Sequence, residues 1–233
     1  WNQLADVFGG SWDEGEIPEC AADNIGIAWP SILKCIDIEF PEPSGHNVLD
    51  YGCGGGLFCR KLSQIGFSVT GYDESHELIK SANLNTSSEV IITSSNLEMV
   101  KGGKYDLVSS IMVFQFIMDI ESTIDSISSI IKPGGLVIFA VFNPRFIEEN
   151  SGGDVFSGFD SYQTGYMALK EDLKIPVYNR NEDEYREMFV KNGFHEVYCD
   201  YPEFTKEFLE RHKMPFSTRH SEYQIQGFRY KNT

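Results

Sequence analysis

Through the middle of this 233-residue chain, short runs of β-branched and apolar residues alternate with stretches whose apolar residues recur at helical spacing. That alternation is the pattern of a parallel sheet flanked by helices. Residues 47–50 (NVLD) predict a first strand and residues 57–65 a helix. Residues 68–71 predict a second strand, and 75–83 a helix capped by Asp73 or Ser75. A third strand is expected at 90–93 (VIIT) and a fourth at 105–111 (YDLVSSI). Residues 122–131 read as a helix stopped by Lys132-Pro133-Gly134-Gly135, since proline cannot continue a helix and glycine supplies the turn. The unbroken apolar run 136–142 (LVIFAVF) predicts a fifth strand buried on both faces.

Past Asn143 the periodicity weakens. Residues 144–176 are rich in glycine, serine and aromatics and read as an insertion, not as sheet. Within it, Asn143-Pro144-Arg145-Phe146 reads as a loop. An amphipathic helix follows at 182–192, ended by Gly193, then strands at 196–200 and 223–230. Residues 1–40, with Trp12, Trp29 and Pro30, predict a helical cover over one end of the sheet.

Composition narrows the function classes. A formal net charge of −16 and a pI near 4.6 oppose a polyphosphate partner over most of the surface, so nucleic acid is not expected. No apolar run is long enough to span a bilayer, and the first residues lack a signal-peptide pattern, so a cytoplasmic protein without a membrane partner is expected. The five cysteines form no C-x-x-C pair and no His lies at ligand spacing, so reduced thiols and no metal are expected.

The chemistry is concentrated in Asp50-Tyr51-Gly52-Cys53-Gly54-Gly55-Gly56, where a strand runs into a glycine-rich turn and then a helix. Backbone without Cβ atoms lets the chain turn sharply and a ligand approach at the carboxyl edge of the strand. A dinucleotide site would need G-x-G-x-x-G, whose third glycine falls here on Leu57. What remains is D-x-G-x-G-x-G. Asp73 follows at the end of the second strand, about twenty residues on, where a ribose diol is expected.

These residues resemble motif I of the class I methyltransferases, and the similarity runs from Trp29 to the C-terminus. It implies a seven-stranded, mostly parallel α/β Rossmann-like sheet of order 3-2-1-4-5-7-6 with the last strand antiparallel. It implies S-adenosylmethionine as cofactor, with S-adenosylhomocysteine as its product. The implied cofactor-binding positions are Trp29, Asp50, Tyr51, Gly52, Cys53, Gly54 and Gly56 around the turn, and Asp73, Glu74 and Ser75 at the ribose. Ser95, Asn96 and Leu97 resemble the adenine-binding segment, with the Asn96 amide carbonyl in place of the usual acid. Ile111 and Met112 would carry the methionine moiety. The resemblance divides a single domain into a cover (1–40), a cofactor-binding half (47–142), a substrate-covering insertion (143–178) and a C-terminal helix with strands (179–233).

The closest type is a small-molecule enzyme, possible in secondary metabolism, that methylates an O or N atom. Protein or RNA methylation, or cofactor binding without turnover, are the alternatives. Gln115-Phe116 stands where many small-molecule members carry a His pair. Candidate polar groups near the acceptor are Gln115, Tyr178, Arg180 and His220, of which only His220 titrates near neutrality when unperturbed. Phe156, Phe159, Tyr162 and Tyr166 either enclose the acceptor or fill a core of their own.

Overall fold

The computed structural model describes residues 21–94, 105–159, 163–170, 173–214 and 216–231. A seven-stranded sheet is built from β1 (Asn47–Tyr51), β2 (Ser68–Tyr72), β3 (Ile91–Thr93), β4 (Tyr105–Ile111), β5 (Ile131–Phe142), β9 (Phe194–Asp200) and β10 (Tyr223–Tyr230). Their order is β3-β2-β1-β4-β5-β10-β9, which is 3-2-1-4-5-7-6 when only this sheet is counted. β1 pairs in parallel with β2 and β4, whereas β10 runs antiparallel to both β5 and β9. The fold class matches the expectation from the glycine turn and its flanking strands.

Helices cover both faces. A π turn at Asn24–Ala28 leads into α1 (Trp29–Glu39), followed by α2 (Leu57–Gln64), α3 (His76–Asn85), α4 (Ile120–Ser128), α5 (Pro144–Asn150), α6 (Glu182–Lys191) and α7 (Lys206–Arg211). On one face Ile32, Cys35 and Ile36 of α1 pack with Val48, Leu107, Leu136, Ile138 and Ile225. On the other, Phe139, Phe189 and Phe228 stack almost flat, with Phe189 and Phe228 centroids 4.3 Å apart. Truncating one of these fully buried rings to alanine would cost about 3–5 kcal/mol. No helix among the described residues is long and apolar enough to cross a membrane.

Three expectations about where helices begin and end need correction. Helix α4 starts and stops earlier than 122–131, because Asp119 caps it by accepting from the Ser122 N–H and Ile131 is drawn off to pair with Tyr105. Lys132-Pro133-Gly134-Gly135 is therefore an irregularity near the start of β5, lying between the Tyr105–Ile131 and Leu107–Leu136 pairs, and not the stop of a helix. Asn143-Pro144-Arg145-Phe146 is a helix start, not a loop. The Asn143 Oδ1 accepts the Arg145 N–H, and Pro144 needs no donor in the first turn.

The insertion is sheet after all. β6 (Phe156–Ser157), β7 (Thr164–Lys170) and β8 (Leu173–Tyr178) form a separate three-stranded antiparallel sheet. Gly165 and Pro176 interrupt its alternation, which hid it. Phe142, Phe146, Ile147, Phe156 and Val177 make a third core, with Met112, Phe116, Phe159 and Phe216 packed against it. Phe156 and Phe159 thus belong to a core of their own, Tyr166 is half exposed, and Tyr162 lies outside the described residues.

One side chain joins three elements. Asn143 caps α5 with its Oδ1, donates its Nδ2 to the Ser221 carbonyl at 2.9 Å, and gives its backbone N–H to the Glu222 carbonyl at 2.8 Å.

Candidate functional site

The glycine turn sits at the carboxyl edge of β1, between β2 and β4, where open α/β sheets bind ligands. It is tied to β2 because the Gly52 and Cys53 N–H groups both donate to the Tyr72 carbonyl, at 2.7 and 2.9 Å. Gly52 has φ 77°, and a Cβ there would stand 2.3 Å from Val113 Cγ2, so no other residue fits. Among the described residues nothing lies within 4 Å of where a Cβ on Gly54, at φ 52°, would be. That gap is the open face of the turn.

Asp73 closes one side of this face. Its Oδ2 accepts the Gly54 N–H at 2.9 Å and its Oδ1 the Ser75 N–H at 2.8 Å. Burial lifts its pKa despite these two bonds. Ser75 caps α3 by accepting the Leu78 N–H, and Glu74 between them is exposed. Of the two capping residues the sequence offered, Ser75 holds the helix.

Asp50 turns inward instead. It is 3% exposed, accepts the Ser109 hydroxyl at 2.8 Å and the Cys59 thiol at 3.4 Å, and burial raises its pKa to about 6. It braces β1 against β4 and α2 from below the turn. Tyr51 is likewise buried, its ring stacked on Tyr72 at 5.4 Å, and Cys53 is buried beneath the loop. Trp29 opens α1 and packs its ring at a tilt against Phe58 of α2, centroids 5.0 Å apart, so the N-terminal cover touches the helix that follows the turn. Ser95, Asn96 and Leu97 lie outside the described residues.

At the end of β4, Ile111 pairs with Ala140 and Met112 then adopts φ 57°, a left-handed conformation uncommon for a non-glycine residue and concentrated at functional sites. Gln115 is 2% exposed there. Its Nε2 approaches Met112 Sδ at 3.8 Å, and its Oε1 has no partner.

The other polar candidates are not all gathered here. Arg180 donates to the carbonyls of Phe114 (3.3 Å), Ile117 (2.8 Å) and Met118 (2.8 Å), clamping the 3-10 turn that follows β4. Its guanidinium also lies 5.2 Å from the centre of the Tyr178 ring. His220 precedes β10 and donates its backbone N–H to Glu149 at 3.2 Å. Sequence reasoning missed Asp23, Asn24, Glu222 and Tyr223, which group at the far end of the same sheet edge. Glu222 was visible as the acid before the last strand, but nothing in the sequence links it to Asp23.

A left-handed glycine turn with an open face and an acid at the end of the neighbouring strand defines a Rossmann-like nucleoside-cofactor protein. Residues 32–198 match the family model described as a methyltransferase domain, and the chain belongs to that family, the class I S-adenosylmethionine-dependent methyltransferases. The chain is 33% identical to a ubiquinone biosynthesis O-methyltransferase of Chelativorans sp. over 42% of this chain and 41% of that protein. It is 30% identical to one of Bordetella avium over 57% and 56%. These matches span about half the length of those relatives. Among solved structures, an S-adenosylmethionine-dependent methyltransferase from Listeria monocytogenes superposes with TM-score 0.71 at 20% identity, over 89% of this chain and all of that one. The magnesium protoporphyrin IX methyltransferase of Synechocystis, solved with bound SAM, gives 0.63 at 17% over 99% and 95%.

Proposed function

We propose that the protein transfers a methyl group from S-adenosylmethionine to an oxygen or nitrogen atom of a small-molecule acceptor. The observation that carries this is the open face over Gly54 beside the Asp73 carboxylate, a cradle that added side chains would fill. The residues fit the cofactor. Asp73 would accept both ribose hydroxyls, the turn from Gly52 to Gly56 would border the nucleoside, and the backbone at Ile111 and Met112 would carry the methionine tail. The buried, unpaired Gln115 Oε1 supplies one acceptor for that tail's ammonium. When bound, the cofactor supplies an electrophilic methyl on a sulfonium.

The protein's own task is to align the acceptor and remove water, since orientation supplies much of the acceleration in such a displacement. The third core, with Met112 and Phe116 packed against it, forms an apolar wall beside the end of β4. The curated O-methyltransferase relatives support a hydroxyl acceptor, and the acidic composition argues against RNA.

The test uses S-adenosylmethionine labelled in its methyl group, incubated with the purified protein and a panel of phenols, carboxylic acids and amines. Label entering an extracted small product supports the reading. Label entering only protein or RNA, or no binding of S-adenosylhomocysteine, defeats it.

A further inference from the structure

The same sheet edge carries a second polar group that the cofactor end does not use. Glu222 and Tyr223 stand at the start of β10, and Asp23 and Asn24 at the start of the π turn. Glu222 is 5% exposed and Tyr223 fully buried. Glu222 Oε2, the Tyr223 hydroxyl and Asn24 Oδ1 are buried atoms without a hydrogen bond of ordinary geometry, although Glu222, Tyr223 and Asp23 lie near enough to perturb one another. A buried polar atom left without a partner is costly, so three from two distant chain segments call for an occupant.

Their position suits an acceptor. Tyr223 pairs with Phe142, and the Glu222 carbonyl takes the Asn143 N–H, so Glu222 lies where β5 ends. Ile111 pairs with Ala140 and Ala140 with Ile225, so Glu222 lies two strands across from Ile111 and three residues further along, about 14 Å away by strand spacing and rise. Tyr223 belongs to the apolar cluster against which Met112 packs.

The groups also act on one another. Burial first, and the Asp23 carboxylate second, hold the Glu222 carboxyl well above its usual range. Tyr223 is held up by burial, then by Glu222 and Asp23. Asp23 is raised by burial, which the Asn24 N–H bond and a contact with the Glu222 side chain partly offset. A carboxylate raised above its usual range by burial binds a proton more tightly than an exposed one, which suits it to receive a proton.

We propose that Asp23, Asn24, Glu222 and Tyr223 form the acceptor subsite, that it takes a heteroatom bearing hydrogen (a hydroxyl or an ammonium group), and that Glu222 Oε2 receives that hydrogen as a proton. The bond from heteroatom to hydrogen breaks, its electron pair stays on the atom that is to be methylated, and the proton goes to the Glu222 carboxylate. Asn24 Oδ1 and the Tyr223 hydroxyl hold the group in place. This assignment rests on the methyltransferase reading.

The test is calorimetric titration of the S-adenosylhomocysteine-loaded protein with catechol and, separately, benzylamine, each in two buffers of different ionisation enthalpy. The doubly O-methylated catechol and the N-trimethylated benzylamine serve as controls. One probe is expected to bind at least tenfold tighter than its methylated control, with a proton exchanged on binding, and the two arms tell hydroxyl from ammonium. Glu222→Gln should weaken that probe at least tenfold and abolish the proton exchange, while S-adenosylhomocysteine affinity stays within twofold. Tyr223→Phe, which removes the hydroxyl and keeps the buried ring, should fold normally and weaken the probe at least threefold. If neither probe outbinds its control, or if Glu222→Gln binds the probe unchanged, the assignment falls. Failure of the wild type to take up S-adenosylhomocysteine would instead defeat the underlying methyltransferase reading.

Discussion

Asp73 and Gly54 are joined by a 2.9 Å hydrogen bond from the glycine N–H to the aspartate Oδ2, so the same carboxylate that shapes the turn also borders its open face. A second bond, from the Ser75 N–H, holds the carboxylate to the start of α3.

Asp73→Ala removes both a charged acceptor for the cofactor and the brace on the turn. A hydrogen bond to a charged group is worth about 1.5–3 kcal/mol, so S-adenosylhomocysteine affinity should fall at least tenfold by equilibrium dialysis. Asp73→Asn keeps one acceptor and should lose less. Undiminished binding in the alanine variant would remove Asp73 from the site.

Gly52→Ala should be severe. Its φ of 77° and the 2.3 Å approach to Val113 leave no room for a methyl group. The variant should melt well below the wild type, and any folded fraction should bind cofactor poorly. Gly54→Ala has space for its methyl but meets a positive φ and projects into the open face, so it should lose more affinity than stability.

Asp50 predicts a pH dependence of stability. Its folded pKa of about 6, raised chiefly by burial, exceeds the ordinary carboxyl value, so the folded state holds the proton more tightly than the unfolded chain. Its favourable contribution is therefore complete below pH 4, is lost as pH rises through about 6, and is constant above. The change is roughly 3 kcal/mol at 1.36 per pKa unit. Denaturant titrations of the wild type against Asp50→Asn should show their stability difference sloping between about pH 4 and 6 and flat beyond 7. A constant difference over the whole range would contradict the burial argument.

Arg180 is expected to act as a clamp. Arg180→Met would leave the Phe114, Ile117 and Met118 carbonyls without this donor, which should cost about 2–4 kcal/mol by analogy with the loss of buried bonds to a charged group. The melting temperature should drop while the shape of any pH–rate profile stays the same. A normal melting temperature with a changed profile would point to direct contact with the acceptor.

The sheet was legible because each of its elements is specified locally. NVLD followed by four glycines within five positions announces a strand, a turn and a ligand-facing edge, and the run from Leu136 to Phe142 can only be a strand covered on both faces. The hairpins of residues 156–178 were not legible, because a glycine under the Phe159 ring and a proline in β8 break the alternation that marks a strand. α7 was overlooked for want of length, though Thr205 caps it in the ordinary way. The cofactor end could be read since it lies within one stretch of chain. The Asp23–Glu222 cluster could not, because its halves meet only when the π turn closes over the start of β10, and no spacing in a sequence records that meeting.

Asn143 has a mechanical consequence. One amide and one backbone N–H fasten the tail of β5, the root of α5 and the turn bearing Glu222 into a single joint. A displacement of α5 would therefore strain the turn bearing Glu222, because both hang on Asn143. Under the proposed assignment, a substrate pressing on the small sheet would be felt at Glu222 through this joint.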